Sequence, residues 1–180
     1  MIQFTPIHTS HTDYSFVEQL MLESFPLAER RTEEAQRRVT DEEECFRCLL
    51  ITDGPLRVGL ITLWSFPGFT YVEHLATSPK VRNKGYGKQI MEYLASYVPG
   101  LILLEVELPE DEMSRRRIGF YERCGFTLHP YEYLQPPYHA EGKPFPLRIM
   151  TKGTEDFSYE DFLKCREYLY KYVYRYIPHK

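Results

Sequence analysis

Apolar positions along the chain change period several times, and each change marks an element. Ile2 to His8 alternates as a short first strand. After Thr12 and Asp13, which suit the cap and first turn of a helix, Phe16, Leu20 and Phe25 recur on one face with Val17 and Met21 beside it, until Pro26 stops the run. A second, polar helix is predicted from Thr32 through Val39, with Glu33 and Glu34 near its positive end, and its polarity suits an exposed or lid-like position. Three strand-like runs follow: Phe46 to Thr52, Arg57 to Phe66 and Phe69 to Thr77. The turn signals Asp53-Gly54-Pro55 and Pro67-Gly68 separate them, which predicts an antiparallel meander.

The period then lengthens. Gly85 to Tyr97 reads as a helix with Ile90, Met91, Leu94 and Tyr97 on its apolar face, closed by Pro99-Gly100 and followed by a buried strand, Leu101 to Leu108. Another helix, about Glu112 to Cys124, ends at Gly125. Thr127 to Leu134 and Leu147 to Lys152 form a final strand pair across the proline-rich loop Gln135 to Pro146, a length typical of functional loops. Beyond Gly153 a Tyr-rich helix is announced by Ser158 as cap, Asp161 three residues on, and Phe157 and Phe162 as a hydrophobic staple. Phe162, Cys165, Leu169, Tyr172, Val173 and Tyr176 share one predicted face, for docking on the parent domain or for a dimer contact. The expected organisation is a domain over residues 1–152 and a helical extension over 153–180.

Composition narrows the class. With 43% apolar and 27% charged residues in 180, the chain has the balance of a soluble globular protein. No run approaches a membrane span, and Met1 to Phe4 has no basic region leading into an apolar one, so a cytoplasmic protein without membrane partners is expected. A net charge of −4 disfavours nucleic acid. Cys45 and Cys48 have knuckle spacing, but they open a strand, where residues three apart face opposite ways. They are expected to be core thiols, and no metal site is expected.

The chemistry concentrates in Arg82-Asn83-Lys84-Gly85-Tyr86-Gly87-Lys88, between a strand and a helix. Its glycines permit close backbone approach, the helix start offers unpaired N–H groups, and Arg82, Lys84 and Lys88 add positive charge, as an anion cradle requires. A P-loop is excluded because Arg82 and Gln89 occupy positions that need Gly and Ser or Thr. The dinucleotide fingerprint is excluded because Ile90 replaces its third glycine and an antiparallel meander precedes it.

Arg82, Gly85 and Gly87 match the motif of Gln or Arg, two residues, Gly, one residue, then Gly or Ala, and on it the chain resembles the GCN5-related N-acetyltransferase (GNAT) family. The resemblance covers roughly residues 1–152. Glu73-His74-Leu75-Ala76-Thr77-Ser78-Pro79 is similar to the family's fourth strand and its exit, and Phe120-Tyr121-Glu122-Arg123-Cys124-Gly125-Phe126 to its Phe-Tyr and Gly-Phe signature. Leu147 to Lys152 resembles its last strand. The fold so implied is α/β (α+β), a mixed, mostly antiparallel central sheet flanked by helices, here with a C-terminal helical extension.

The resemblance implies acetyl-CoA as cosubstrate and an N-acetyltransferase acting by direct attack of a primary amine in a ternary complex. It assigns the pyrophosphate to the amides of Asn83, Lys84, Gly85, Tyr86, Gly87 and Lys88 beside Arg82, and the pantetheine arm to Leu75, Ala76 and Thr77. Tyr121 stands at the position of the family's proton-donating tyrosine. Ser114 stands where the family often carries an Asn that helps bind the cofactor, and its hydroxyl has a shorter reach. Because an aliphatic amine has a pKa near about 10.4, a base is useful, and Glu73 and Glu105 are the candidates; Glu107 shares a strand face with Glu105. The acceptor is expected to be a small-molecule or peptide amine, framed by the first two helices and by Tyr131, Tyr133, Tyr138 and His139. A homodimer is compatible with the extension. The alternatives are an inactive acyl-CoA-binding or regulatory module working through the C-terminal helix, and nucleic-acid binding through Arg115 to Arg117, which the net charge opposes.

Overall fold

The computed structural model describes residues 1–177; residues 178–180 of the expected extension lie outside the described residues. The chain forms two compact units, residues 1–65 with 72–99 and residues 66–71 with 100–180.

The first unit holds β1 (Ile2–Pro6), β2 (Phe46–Asp53), β3 (Leu56–Phe66) up to residue 65 and β4 (Phe69–Thr77) from residue 72, in that strand order, while residues 66–71 belong to the second unit. β1 and β2 run antiparallel, from Ile2 opposite Asp53 to Pro6 opposite Leu49. β2 and β3 pair from Phe46 opposite Trp64, with a register shift between Ile51, opposite Gly59, and Thr52, opposite Arg57, that leaves Val58 as the extra residue. β3 is buried without alternation from Val58 to Trp64, as befits a strand covered on both faces.

The helices α1 (Tyr14–Ser24), α2 (Glu33–Glu42) and α3 (Tyr86–Tyr97) bury Val17, Leu20 and Met21, then Val39, then Ile90, Met91 and Leu94. Asp13 stands at the cap position of α1, but its carboxylate accepts no cap bond and meets Arg57 at 3.2 Å. Thr32, expected as the first residue of this helix, is its cap, accepting from Ala35 N at 3.2 Å. Cys48 is a buried thiol whose pKa burial pushes up to about 12.

In the second unit β5 (Leu101–Glu107) pairs antiparallel with β8 (Phe145–Lys152), and β6 (Thr127–Leu128) and β7 (Tyr133–Gln135) also pair with β8. The single strand expected over Thr127 to Leu134 is therefore two. Pro130 has no N–H to donate, and the ladder lapses around it after His129 N reaches the Ile149 carbonyl at 3.0 Å.

α4 (Glu112–Arg123) starts on a reciprocal Asp111–Ser114 capping box and α5 (Tyr159–Tyr168) on a Ser158–Asp161 one. α5 continues into a π-turn, Leu169–Val173. Phe162, Cys165, Leu169 and Val173 are buried as the helical face predicts, but Tyr172 is 37% exposed and Tyr174 is buried instead. The π-turn holds one more residue per turn than an α-helix, so it moves the face on by one position. Phe66 and Phe69 pack on Tyr168, and Phe162 on Tyr131, so the extension folds onto its own unit.

Candidate active site

The last residues of β4 are held tightly. A Cβ at Gly59 would run into the Ala76 carbonyl and come within 3.0 Å of Thr77 Cα, so only glycine lets β3 approach there. Ser78 N then donates to the Val58 carbonyl at 2.7 Å, and its hydroxyl caps the short turn Pro79–Val81, which buried Val81 anchors. Leu75 and Thr77 remain partly exposed and Ala76 is buried.

From there the chain enters the glycine loop. Arg82 is extended, Asn83 (φ 62) and Gly85 (φ 78) are left-handed, and α3 begins. Asn tolerates that conformation better than most residues and Gly adopts it freely. Among the described residues no side chain caps α3, so its first-turn N–H groups lack partners. Successive main-chain N–H groups next to left-handed residues make an anion-binding concavity, which the helix dipole reinforces. Arg82, Lys84 and Lys88 are exposed around it, Lys88 lying 3.7 Å from Glu92. Tyr86 OH donates to Asp53 Oδ2 at 2.9 Å, tying its ring to the end of β2. Nothing lies within 4 Å of where a Gly85 side chain would begin, so the cradle is open. Its donors and charges fit a pyrophosphate.

Glu73 sits on the same strand in a different setting. Its side chain is wholly buried, with Oε1 2.8 Å from Arg31 Nη2 and Oε2 accepting from Trp64 Nε1 at 2.9 Å. Burial by itself would raise its pKa, but Arg31, then His74 and Trp64, hold it below the usual carboxylate range. Since the side chain is covered while the residue is partly exposed, the accessible part of Glu73 is main chain. The Arg31 guanidinium also lies 5.6 Å from the Trp64 ring centre and donates to Gln36 Oε1 at 3.2 Å. His74 Nε2 donates to the Glu29 carbonyl at 2.9 Å, and burial lowers its pKa, so its ring is neutral at neutral pH. Arg31 and His74 thus fasten the segment between α1 and α2 to β4.

In the second unit Glu105 lies on β5. Its Oε1 accepts hydrogen bonds from Tyr71 OH, from Tyr174 OH at 2.6 Å and from Gln135 Nε2 at 3.2 Å. Its Oε2 is buried and makes no hydrogen bond of normal geometry, and the buried Tyr133 OH beside the carboxylate favours its charged form. Burial raises the Glu105 pKa, and the donors only partly offset that. Glu107 is half exposed, with Arg117 3.7 Å away.

Tyr121 on α4 packs edge-on against Phe120 and Phe126, at centroid distances of 5.3 and 5.7 Å. Burial raises its phenol pKa, opposed by the Arg117 charge. The hydroxyl is therefore protonated at neutral pH and has no hydrogen-bond partner among the described residues. Ser114 is 3% exposed and bonds Asp111 through its hydroxyl and its amide. Arg115 and Arg116 are engaged locally, with the Pro109 carbonyl at 3.3 Å and Glu112 at 2.6 Å. Tyr131 gives its hydroxyl proton to the Phe157 carbonyl at 3.1 Å, Tyr133 is buried, and Tyr138 packs on Tyr174.

Sequence reasoning missed Arg31, Trp64, Tyr71, Gln135 and Tyr174. Nothing in composition separates a buried arginine from a surface one, and the aromatics read equally well as core.

A model of the acetyltransferase (GNAT) family matches residues 14–126. A solved structure from Bacteroides thetaiotaomicron, described as an acetyltransferase of that family, is 44% identical, covers 96% of this chain and 98% of its own, and superposes with a TM-score of 0.92. The peptidyl-lysine N-acetyltransferase YjaB of Salmonella typhimurium is 28% identical over 97 residues, which is 54% of this chain and only 58% of that relative's length. The ribosomal-protein-S18-alanine N-acetyltransferase of Escherichia coli, 17% identical over 88% of this chain and all of its own (100%), shares the fold with a TM-score of 0.57. The chain belongs to the GNAT acetyltransferase family, and its mixed, mostly antiparallel α/β architecture is the one expected of it. Among the described residues no helix is long and apolar enough to cross a membrane.

Proposed function

We propose that this protein transfers the acetyl group of acetyl-CoA to a primary amine of a small molecule or peptide, by direct attack in a ternary complex. The observation that carries the reading is the open cradle of main-chain N–H groups from Asn83 to Lys88, ringed by Arg82, Lys84 and Lys88. Those amides bind the pyrophosphate. The accessible main chain of β4 through Leu75, Ala76 and Thr77 bonds the amides of the pantetheine arm, and a strand N–H there polarises the thioester carbonyl.

Acetyl-CoA supplies an acyl carbon activated by its thioester. At neutral pH only about one amine in a thousand is unprotonated, so the acceptor must lose a proton before its nitrogen can attack. Of the two carboxylates, Glu105 is the one suited to take it. Its pKa is raised and its Oε2 unengaged, whereas Glu73 is held anionic by Arg31. Glu73 instead orders the segment between α1 and α2. As the C–N bond forms and the C–S bond breaks, Tyr121 gives its phenolic proton to the departing thiolate. Ser114 contributes by fixing the first turn of α4. The protein acts among soluble substrates of the cytoplasm.

Calorimetric titration with acetyl-CoA tests the reading. The wild type should bind, and a folded variant carrying Gly85→Val and Gly87→Val should not. A wild type that does not bind overturns it.

A further inference from the structure

The family match ends at residue 126, yet the chain beyond it supplies donors to Glu105. Tyr174 reaches that carboxylate because of the π-turn. Its N–H donates to the Leu169 carbonyl at 3.0 Å, and the wide turn brings Val173 and Tyr174 inward while Tyr172 faces out. Tyr138 packs against the Tyr174 ring at 5.1 Å between centroids.

The protons can be assigned from donor capacity. Gln135 Nε2 donates to both Tyr174 OH, at 2.9 Å, and Glu105 Oε1. Tyr174 therefore accepts from Gln135 and gives its own proton to Glu105. Tyr71 OH, 3.1 Å from Tyr174 OH, also gives its proton to Glu105. Oε1 thus receives Tyr71, Tyr174 and Gln135, while Oε2, buried beside it near Tyr133, makes no hydrogen bond of normal geometry.

We propose that Tyr174, with Gln135, is a positioning residue for acetyl transfer: the C-terminal segment clamps Oε1 of Glu105 so that Oε2 alone takes the acceptor's proton. The step moves one proton from the acceptor's nitrogen to Oε2 and leaves the nitrogen its lone pair. This rests on the proposed role of Glu105 as base. The groups facing Glu105 are Tyr71 from β4, Tyr133 and Gln135 from β7, and Tyr174 after the π-turn, with Tyr138 and Tyr170 behind them. Burial raises the phenol pKa of Tyr133, Tyr170 and Tyr174, which are therefore protonated at neutral pH. Donors to a carboxylate favour its charged form, so losing one raises its pKa.

The test is a carbon-detected NMR titration of the full chain labelled at the Glu carboxyl carbon, with Glu105→Gln identifying the resonance. It needs no acceptor. In Tyr174→Phe, which keeps the ring, the Glu105 midpoint should rise by about one pH unit. Gln135→Leu should move it the same way, and serves if Tyr174→Phe does not fold. With a lysyl peptide as acceptor, the acidic limb of kcat/KM should move by the same amount as the NMR midpoint. An unmoved midpoint in both variants overturns the clamp. An acidic limb that survives Glu105→Gln defeats the base assignment on which it rests. A limb that vanishes in Glu105→Gln but stays put in Tyr174→Phe defeats the positioning role alone.

Discussion

Arg31 and Glu73 form a buried ion pair, Nη2 lying 2.8 Å from Oε1, with the side chains 8% and 0% exposed. Removing one member of such a pair leaves the other as an uncompensated charge out of water. Arg31→Met should therefore destabilise the fold by about 3–5 kcal/mol, and adding Glu73→Gln should restore much of the loss. Urea denaturation of the three variants measures this. A cost for Arg31→Met below about 1 kcal/mol would show the pair to be worth no more than an exposed one.

The same pair sets an acid limit. The folded Glu73 pKa lies below its unfolded value of about 4.3, because Arg31, His74 and Trp64 outweigh burial. Its contribution is present above the unfolded pKa and is lost as pH falls through the folded one. Wild-type stability should drop steeply below about pH 4, and the Arg31→Met, Glu73→Gln double variant should drop less over that range. Circular dichroism against pH decides, and identical slopes would remove Glu73 as the cause.

Tyr121 offers a cleaner test of chemistry, because its hydroxyl bonds no other described residue while its ring packs between Phe120 and Phe126. Tyr121→Phe should leave the melting temperature nearly unchanged and lower kcat on the order of 10²-fold. The basic limb of the pH profile, where the phenol would lose its proton, should go with it. A variant with normal kcat would leave Tyr121 as packing.

How far all this could be read beforehand depends on what kind of constraint fixes each residue. The glycine loop was legible because left-handed backbone selects Gly at Gly85 whatever surrounds it. β4 was legible to the residue because turn chemistry at Pro67-Gly68 bounds it. The break at Pro130 was written in the sequence but outvoted by the apolar run around it. Tyr174 was hidden for a geometric reason: a helical wheel assumes constant phase, and the π-turn changes it just before that residue. Arg31 was hidden because its burial depends on Glu73 and Trp64, which lie far along the chain.

Glu105 should mark the stability curve in the opposite sense to Glu73. Burial raises its folded pKa above the unfolded value near about 4.3, so between those two values the native state holds more protons than the unfolded chain. Stability from this group is therefore complete below the unfolded pKa and falls as pH rises through the folded one, by up to about 1.4 kcal/mol for each pH unit between them. Glu105→Gln has no such proton to lose. The stability of Glu105→Gln relative to wild type should accordingly climb as pH is raised above about 4.3 and level off once Glu105 is ionised in the fold. Because the Glu73 effect lies below that point and the Glu105 effect above it, urea denaturation across the whole range separates the two carboxylates. Parallel curves for wild type and Glu105→Gln above that pH would mean that the phenols and Gln135 fully compensate the buried charge, and Glu105 would then lack the raised basicity that fits it to take a proton from the amine.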